Sequence, residues 1–300
     1  KDMIDLIIDG VLRGGIYATA AVGYVILYRS IKVINLAYGA MALLAAYLYW
    51  MISPQLGPLL GFLAVLPATA ILAIVADRAV VRPMLGEPVV QIIAATIGLS
   101  YLIKGALLLV LQLIYGMPGY QLVPYDVPLL PRGFIDLGAL RLDVNFFGAF
   151  LASVAAFGML WVFYKKAPLG IAMRAMSNDR PSAIAFGVRP TESIATSWIL
   201  AGLLATVSGV FYANTFGGPS GSVEYIGIKA LPVIILGGLD SVGGALVGGL
   251  IVGVTEVLGK LFLDPYLGGG FGEVFPLLLM VAVLLVRPYG LFGTERIERV

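Results

Sequence analysis

The residues of this sequence that could do chemistry are four ionisable side chains that stand alone in long apolar stretches. They are Arg13, Lys104, Asp240 and Glu256. A charged side chain at the centre of a bilayer costs about 2.5–3.5 kcal/mol on insertion scales, so such residues usually face a cavity, another charge or the membrane surface. The long stems of Arg13 and Lys104 could carry their charges to the surface. Lys260, four residues after Glu256, could pair with it on one helix face.

The composition excludes several kinds of active site. The chain has no Cys and no His, so thiolate nucleophiles, disulfides, His or Cys metal ligands and an imidazole-based triad cannot be built from it. It also has no GxxxxGK[ST] phosphate-binding loop, so it cannot hydrolyse ATP by that route. We expect no catalytic residue, no metal site and no cofactor bound by this chain. Energy for active transport would come from another subunit or from an ion gradient.

The chain that positions these residues has the composition of a membrane protein. Of its 300 residues, 60% are hydrophobic and 12% are charged, whereas soluble domains carry about 25% charged residues. The mean hydropathy over the whole length is +0.99. The net charge of +2 is too small to indicate a nucleic-acid partner. The sequence therefore predicts an all-α, polytopic protein of the lipid bilayer.

The predicted membrane spans are the apolar intervals between clusters of charged and turn residues, because about 20 apolar residues cross the hydrocarbon. The first six intervals are 7–28, 33–51, 59–76, 89–113, 144–164 and 193–214. In the last third, 226–239 is apolar but short, 242–261 is glycine-rich and 274–286 is apolar up to Arg287. We expect one domain, 1–300, with eight or nine transmembrane helices. The count depends on whether 226–239 crosses the bilayer or forms a re-entrant half-helix.

Lys and Arg residues indicate the orientation, because cytoplasmic loops are enriched in both. Four segments hold 12 of the 19 basic residues: 29–32, 77–88, 165–192 and 287–300. We predict that these segments are cytoplasmic, with the N-terminus outside and the C-terminus inside. The segment 115–143 holds four prolines and no spanning run, so we expect it to be an extracytoplasmic loop.

The segment 165–192 is the longest predicted cytoplasmic loop and the densest in charge. Pro168 breaks the chain near its start, Asn178 or Asp179 can cap a short helix, and Gly187 can end that helix. We therefore expect a short helix outside the bilayer. It is either a solvated connector or a surface on which a cytoplasmic partner docks.

Two GxxxG spacings occur one after the other late in the chain. They pair Gly244 with Gly248 and Gly249 with Gly253, so that the second spacing directly follows the first. Small residues one turn apart let helix backbones approach closely in lipid. The spacing predicts either helix packing within the chain or, with less support, a seam between two subunits.

Three classes of membrane function compete on these residues. An intramembrane protease is disfavoured, because it would need a His-assisted Ser or two facing Asp residues. An ion-coupled secondary transporter or a channel would need mid-membrane carboxylates, for which Glu256 alone gives thin support. A pore subunit driven by a separate ATPase accounts for both the long basic loop and the missing phosphate-binding loop.

Several short strings, each weak alone, occur in order along nearly the whole chain. In the first half they are GGIYA at 14–18, VINLAYGA at 33–40 and TIGLS at 96–100. In the second half they are GIAMRA at 170–175 leading to Gly187, LGGLDSVGGA at 236–245, GGLIVGVTE at 248–256 and RPYGLFG at 287–293. The ordered set resembles the membrane permease subunits of branched-chain amino acid ABC importers.

This resemblance implies an importer in the inner membrane of a bacterial cell. Its other parts would be a second related permease, forming a heterodimer or a homodimer, two ATP-binding subunits that use ATP, and a periplasmic or lipid-anchored solute-binding protein. In that family the loop after the fifth span is the coupling segment that sits on the ATP-binding subunit. By resemblance this role falls on six residues: Arg174, Ala175, Asp179, Arg180, Ala183 and Gly187.

We place the translocation path beside the second span and near the glycine-rich break before 242–261. The candidate path residues are Asn35, Tyr38, Gly39, Ser100, Gly238, Ser241 and Glu256. Asn35 is the only strongly polar side chain of its span, and an amide in hydrocarbon needs a partner or water. The alternative is that Asn35 caps the second helix just inside the membrane surface.

One residue departs from the family pattern. Where the family usually has a His, this chain has Tyr38, which keeps a hydroxyl donor and loses the titratable ring. The first expected solute is a branched-chain or other hydrophobic amino acid. The alternatives are urea, short amides or another small organic solute, and, with less support, an ion-coupled secondary transporter.

Overall fold

The computed structural model describes residues 3–131, 133–138 and 140–293, and these residues form a helical bundle with one small β-hairpin. Arg132 and most of the basic tail considered above lie outside the described residues. The helices are α1 Met3–Ile31, α2 Tyr38–Leu56, α3 Pro58–Ala76, α4 Val89–Tyr115, α5 Val144–Lys166, α6 Pro168–Asn178, α7 Arg180–Ala185, α8 Pro190–Thr215, α9 Tyr225–Gly237, α10 Val242–Phe262, α11 Asp264–Leu267 and α12 Phe271–Val286. The strands are β1 Phe134–Leu137 and β2 Leu140–Asp143.

Six helices of the described chain are long and apolar enough to cross a membrane, judged by length and composition. They are α1, α3 with the helical turns that follow it, α4, α5, α8 and α10. The fold therefore agrees with an all-α polytopic membrane protein. The predicted second span, α2, is not among these six helices; it carries the tyrosines Tyr38, Tyr47 and Tyr49, whose side chains are fully buried in protein.

Capping residues fix several helix ends. The Asp143 side chain accepts a hydrogen bond from the backbone N–H of Asn145 at 2.8 Å and starts α5. Gly116, in the left-handed region with φ of 66°, ends α4. Helix α3 ends at Ala76, where the charges predicted the end of the third span, and the chain continues through a π-helical turn and a 3-10 turn to Met84. The buried Asp77 carboxylate there accepts a hydrogen bond from Arg82 at 2.9 Å.

Helix α1 lies at the centre of the bundle and packs against α10 through glycines on both helices. A Cβ added at Gly14 would lie 2.6 Å from the carbonyl oxygen of Gly249, and one added at Gly10 would lie 2.7 Å from the Cα of Val254. A Cβ at Gly248 would lie 2.5 Å from the carbonyl oxygen of Val233 on α9. The late GxxxG glycines therefore serve close helix packing within the chain.

Helices α2 and α9 both begin inside the bundle and meet at their first turns. A Cβ added at Gly227 would lie 2.9 Å from the Cα of Gly39. Helix α9 has 13 residues, which gives a length of about 20 Å. The residues before it form a turn at 216–218, an irregular stretch at 219–220 and a 3-10 turn at 221–224. The short apolar stretch predicted at 226–239 is therefore a short helix with an irregular lead-in.

The basic segments predicted to share one side of the membrane gather at one end of the bundle, which we call the basic end: 29–32, 77–88, 165–192 and 287–293. Arg29 donates a hydrogen bond to the Asp240 carbonyl at 2.7 Å, and Arg82 contacts the Thr191 carbonyl at 3.4 Å. Asn178 and Pro288 line one cavity of about 740 Å³ there. The opposite end, which we call the loop end, carries 116–143 and 216–220.

The segment 116–143 lies against the half of α2 nearest the loop end. The Tyr47 hydroxyl donates to the Gln121 carbonyl at 2.8 Å, and the Tyr49 hydroxyl donates to the Val127 carbonyl at 3.0 Å. Strands β1 and β2 pair antiparallel, with Phe134 opposite Asp143. The sequence did not predict this hairpin, because two four-residue strands are too short for an alternating pattern to stand out.

Candidate functional site

The first candidate site is the pair of short helices α6 and α7 at the basic end. The sequence predicted one helix there, and the structure has two, because Asp179 adopts an extended backbone conformation and caps α7. Its carboxylate accepts hydrogen bonds from the hydroxyl and the backbone N–H of Ser182, and these bonds lower the pKa of Asp179. A charged side chain therefore fixes the start of α7 directly after the end of α6.

Gly187 ends α7 in the way its position predicted. Its φ of 88° lies in the left-handed region. The N–H of Gly187 donates to the Ile184 carbonyl at 2.9 Å and that of Val188 donates to the Ala183 carbonyl at 3.0 Å. This pair of hydrogen bonds is a Schellman motif, which turns the chain back toward α8.

The six predicted coupling residues differ in their accessibility. Arg174, Asp179, Arg180 and Gly187 are exposed, and Ala175 is half-buried. The Ala183 side chain is buried at 4% exposure. Ala183 therefore packs α7 against the rest of the protein. A partner would contact the exposed residues beside Ala183.

The sequence interpretation did not select the most exposed apolar side chain of this segment. Phe186 is 90% exposed and Ile184 is 47% exposed, both on or beside α7. The sequence alone could have indicated Phe186, because a phenylalanine in a polar, basic loop is unusual. It marks an apolar tip at the basic end that a partner could cover.

The second candidate site is the start of α2, where three predicted path residues lie together. Asn35 is fully buried. Its Oδ1 accepts a hydrogen bond from the Ala37 N–H at 2.9 Å, while its Nδ2 has no hydrogen-bond partner in the structure. The Tyr38 hydroxyl lies 3.3 Å from the Ser208 hydroxyl of α8. Asn35 thus forms a turn before the helix and keeps an unused donor.

Gly39 and Ser100 extend this site. A Cβ added at Gly39 would lie 2.5 Å from the Glu224 carbonyl oxygen, so only glycine permits the approach of the turn before α9. The Thr96 hydroxyl of α4 accepts a hydrogen bond from the Leu36 N–H at 3.2 Å. Ser100 lies one turn further along α4 and is also buried. Helices α1, α2, α4, α8 and α9 therefore converge here.

Gly238 and Ser241 lie at the basic end, at the corner between α9 and α10. Gly238 has a φ of 103°, and a Cβ there would lie 2.6 Å from the Cα of Gly293. The Ser241 hydroxyl accepts a hydrogen bond from the Gly244 N–H at 2.9 Å and caps α10. The segment 287–293 covers this corner, and the Leu291 N–H donates to the Leu236 carbonyl at 2.8 Å.

Glu256 lies near the other end of α10, away from both groups. It accepts hydrogen bonds from the Tyr17 hydroxyl at 2.7 Å, from Lys260 at 2.7 Å and from Lys229 of α9 at 3.1 Å. The predicted partner within the helix is present, and Lys229 is a second one. Together with Arg13, these side chains line a cavity of about 540 Å³. The carboxylate therefore joins α1, α9 and α10 electrostatically.

Lys104 also has a partner that the sequence interpretation missed. Its ammonium lies 2.8 Å from the Glu224 carboxylate. The Tyr120 hydroxyl donates to the Lys104 carbonyl, and burial, followed by the Glu224 charge, raises the pKa of that phenol. A lone lysine in an apolar stretch indicates that a counter-charge is needed. The sequence does not show which residue supplies it, because Lys104 and Glu224 are 120 residues apart. No group of three or more carboxylates in the described chain could hold a metal ion.

A family model decides the class of this protein. The model described as branched-chain amino acid transport system / permease component matches residues 6–284. The chain belongs to this permease family. The resemblance seen in the ordered strings is thereby confirmed, and with it the expectation of a transport permease of the membrane. Nothing in the family points to a catalytic activity of the chain itself.

The permease has curated relatives of similar length. It is 26% identical to the high-affinity branched-chain amino acid transport system permease protein BraD of Pseudomonas aeruginosa, over 98% of this chain and 97% of that protein. It is 27% identical to LivH of Escherichia coli K12, a permease protein of the same description, over 97% and 96%. The solved structure of PsaBC from Streptococcus pneumoniae in complex with Fab shares the fold, with a TM-score of 0.51, 13% identity and coverage of 94% and 89%.

Proposed function

We propose that this chain is the permease subunit of a binding-protein-dependent ABC importer that moves a branched-chain or other hydrophobic amino acid. Transport would proceed by alternating access, driven by partner ATPases. The observation that carries the proposal is the family match over residues 6–284, together with two relatives described as branched-chain amino acid permeases. The described structure adds two features that suit this role, an exposed helix pair at one end and an internal meeting point of two helix starts.

The proposed topology has nine traverses, with the N-terminus outside the inner membrane of a bacterial cell and the C-terminus in the cytoplasm. The short helix α9 counts as a traverse when its lead-in is included. That lead-in starts at the loop end, where the Val123 N–H donates to the Pro219 carbonyl at 3.0 Å, and α9 finishes at the basic end. The gathering of basic segments at one end supports this orientation.

The proposed coupling surface is the exposed side of α6 and α7. Arg174, Asp179 and Arg180 offer charges, and Phe186 offers an apolar contact. A helix pair in which the Asp179 cap starts α7 directly after α6 transmits a push from an ATP-binding subunit to α5 and α8, which it joins directly in the chain. The remaining partners are a second related permease and a solute-binding protein that docks at the loop end.

The proposed path runs past the start of α2. Asn35, Tyr38, Gly39 and Ser100 lie there, and the free Nδ2 donor of Asn35 supports a polar ligand or water at this depth. Gly238 and Ser241 would border the path at its cytoplasmic end, and Glu256 would act on the path through the helices it joins.

The proposal is tested by reconstituting the complete importer in proteoliposomes. The chain is co-expressed with the second permease, the ATPases and the binding protein encoded beside it, and uptake of radiolabelled leucine, isoleucine and valine is measured with and without ATP. We expect ATP-dependent uptake that requires the binding protein. Uptake of urea or a short amide with no uptake of these amino acids would overturn the substrate assignment, and uptake without any ATPase would overturn the mechanism.

A further inference from the structure

Lys104 and Glu224 form an ion pair at a depth where charges are rare. Lys104 belongs to α4, Val89–Tyr115. At 1.5 Å per residue it lies about 22 Å from the first residue of that helix and about 16 Å from the last. Both distances exceed half of a hydrocarbon core of about 30 Å. The pair is therefore far from either membrane surface.

The pair is nevertheless accessible from outside the subunit. The side chains of Lys104 and Glu224 are 20% and 35% exposed. Tyr101, one turn before Lys104, is 68% exposed, and its ring lies 4.5 Å from the lysine ammonium. Nothing lies within 4 Å of a Cβ added at Gly105. This face of α4 is open, so the charges are not sealed in the core of the subunit.

An open ion pair at mid-depth cannot face lipid tails at an acceptable cost. Ionisable residues within membrane spans face the bundle interior or a water-filled cavity, and they mark the routes of substrates and ions. Within this subunit, the pair stands next to the start of α2: the Glu224 Cγ lies 3.3 Å from the position of a Cβ added at Gly39. The open face is therefore the side of the subunit that borders the path.

We propose that Lys104 and Glu224 bind the charged groups of a zwitterionic solute on its way through the importer. The solute carboxylate would pair with the lysine ammonium, and the solute ammonium would pair with the glutamate carboxylate. One protein ion pair is then replaced by two protein–solute pairs, with no change in net charge. This inference rests on the proposed function, because it names the residues that recognise the backbone of an amino acid.

The geometry also explains how one site can be satisfied with and without solute. In the empty state the two side chains neutralise each other at 2.8 Å. Tyr120 holds the Lys104 carbonyl through its hydroxyl, and the Gly221 N–H donates to the Tyr120 carbonyl at 3.1 Å, so α4 and the turn before α9 are tied together. An uncharged solute such as urea offers neither charge and would leave the pair closed.

The test uses three variants of the complete importer in proteoliposomes: Lys104→Met, Glu224→Gln and the double variant. Leucine uptake and the ATPase activity stimulated by loaded binding protein are measured for each. We expect all three variants to lose leucine uptake at least tenfold, with the double variant no better than the weaker single variant. The matched control removes one positive and one negative charge that are exposed at the basic end outside α6 and α7, Arg78→Met with Glu87→Gln. It should transport as the wild type does.

The double variant separates recognition from a purely structural role. A pair that only stabilised the fold would be replaceable by two uncharged side chains, so recovery of uptake in the double variant would overturn the proposal. If the charge-removing variants are lost from the membrane, Lys104→Arg and Glu224→Asp decide. A changed KM for leucine at unchanged expression supports the proposal, and an unchanged KM overturns it. A wild-type importer that accumulates no amino acid overturns the proposed function and this inference together, whereas wild-type uptake with active variants overturns the inference alone.

Discussion

Asn35 is a buried amide that uses only part of its hydrogen-bonding capacity. Its Oδ1 accepts a hydrogen bond from the Ala37 N–H, and its Nδ2 has no hydrogen-bond partner in the protein. Asn35 is not the cap of α2, whose cap position is Ala37 and has no side-chain hydrogen bond, and it forms a turn just before the helix instead. Its role as a path residue stays a prediction. The turn formed by Oδ1 contributes stability, and the unpaired Nδ2 is available to a solute or to water.

Substitutions at this position separate the two roles. We predict that Asn35→Ala costs about 0.5–1.5 kcal/mol of stability, for the lost hydrogen bond. It should also lower uptake per folded importer several-fold. Tyr38→Phe should change uptake or solute preference with little effect on folding, because the hydroxyl contact with Ser208 is long at 3.3 Å. Expression and thermal unfolding are measured beside uptake over a panel of amino acids and amides.

Thr255→Val provides the control, since that hydroxyl bonds only to carbonyls of its own helix. If Asn35→Ala and Tyr38→Phe both transport like the wild type over the whole panel, the path lies elsewhere.

Residues of this kind show what the sequence can predict. Asn35, Lys104 and Glu256 stand out because each is a polar side chain in an apolar stretch. The predicted bounds of each span indicate how deep in the bilayer these residues lie. Glu224 does not stand out, because it precedes an apolar stretch and looks like an ordinary flanking charge. Its pairing with Lys104 depends on the folding of α4 against the turn before α9, which no local pattern records.

Among the helices, the packing of α1 against α10 depends on residues without side chains. We predict that Gly14→Ala destabilises the protein by about 1–3 kcal/mol, the usual cost of overfilling a packed contact. The new methyl group would lie 2.6 Å from the Gly249 carbonyl oxygen, so the two helices must separate. Gly98→Ala on α4 is the matched control, because nothing lies within 4 Å of its Cβ position. Thermal unfolding in detergent should show a lower midpoint for Gly14→Ala alone.

The exposed phenylalanine after α7 allows a test of the proposed coupling surface. Phe186→Ser should leave insertion and folding intact, because the ring is 90% exposed. It should uncouple ATP hydrolysis from uptake, because it removes the apolar contact of the proposed coupling surface. Tyr266→Ser, at a residue 87% exposed beyond α10, is the control. Coupling is measured as leucine transported per ATP hydrolysed, and an unchanged ratio in Phe186→Ser would place the coupling contact elsewhere.

The ends of helices could be predicted from the sequence where a capping residue marks them. Asp143, Ser241 and the glycine after α4 fix helix ends through caps that can be recognised in advance. The start of α2 was misplaced by five residues, since the apolar run from Val33 continues through a turn that is not helical. Asp179 caps α7 as the sequence predicted, but α6 before it was missed, because Pro168 was interpreted as a chain break and instead occupies the first turn of a helix.

At the scale of the whole molecule, the orientation in the membrane is the prediction with the clearest assay. The chain has no native Cys, so a single introduced thiol reports one position. Gln121→Cys or Leu122→Cys, both at exposed positions of the loop end, should react with an impermeant maleimide added to intact cells. Asn178→Cys, exposed at the basic end, should react only after lysis. The reverse pattern would invert the topology and place the proposed coupling surface outside.

The central position of α1 has a consequence for how the protein is made. Helix α1 and its most extensive neighbour, α10, are separated by about 210 residues of chain. At about 5–20 residues per second, synthesis of the intervening segment takes roughly 10–40 s. During that interval the glycine face of α1 has no helix packed against it. The Tyr17 hydroxyl likewise lacks the Glu256 carboxylate, which accepts its hydrogen bond in the folded protein. The contact at the centre of the bundle therefore forms late, only after α10 has been synthesised.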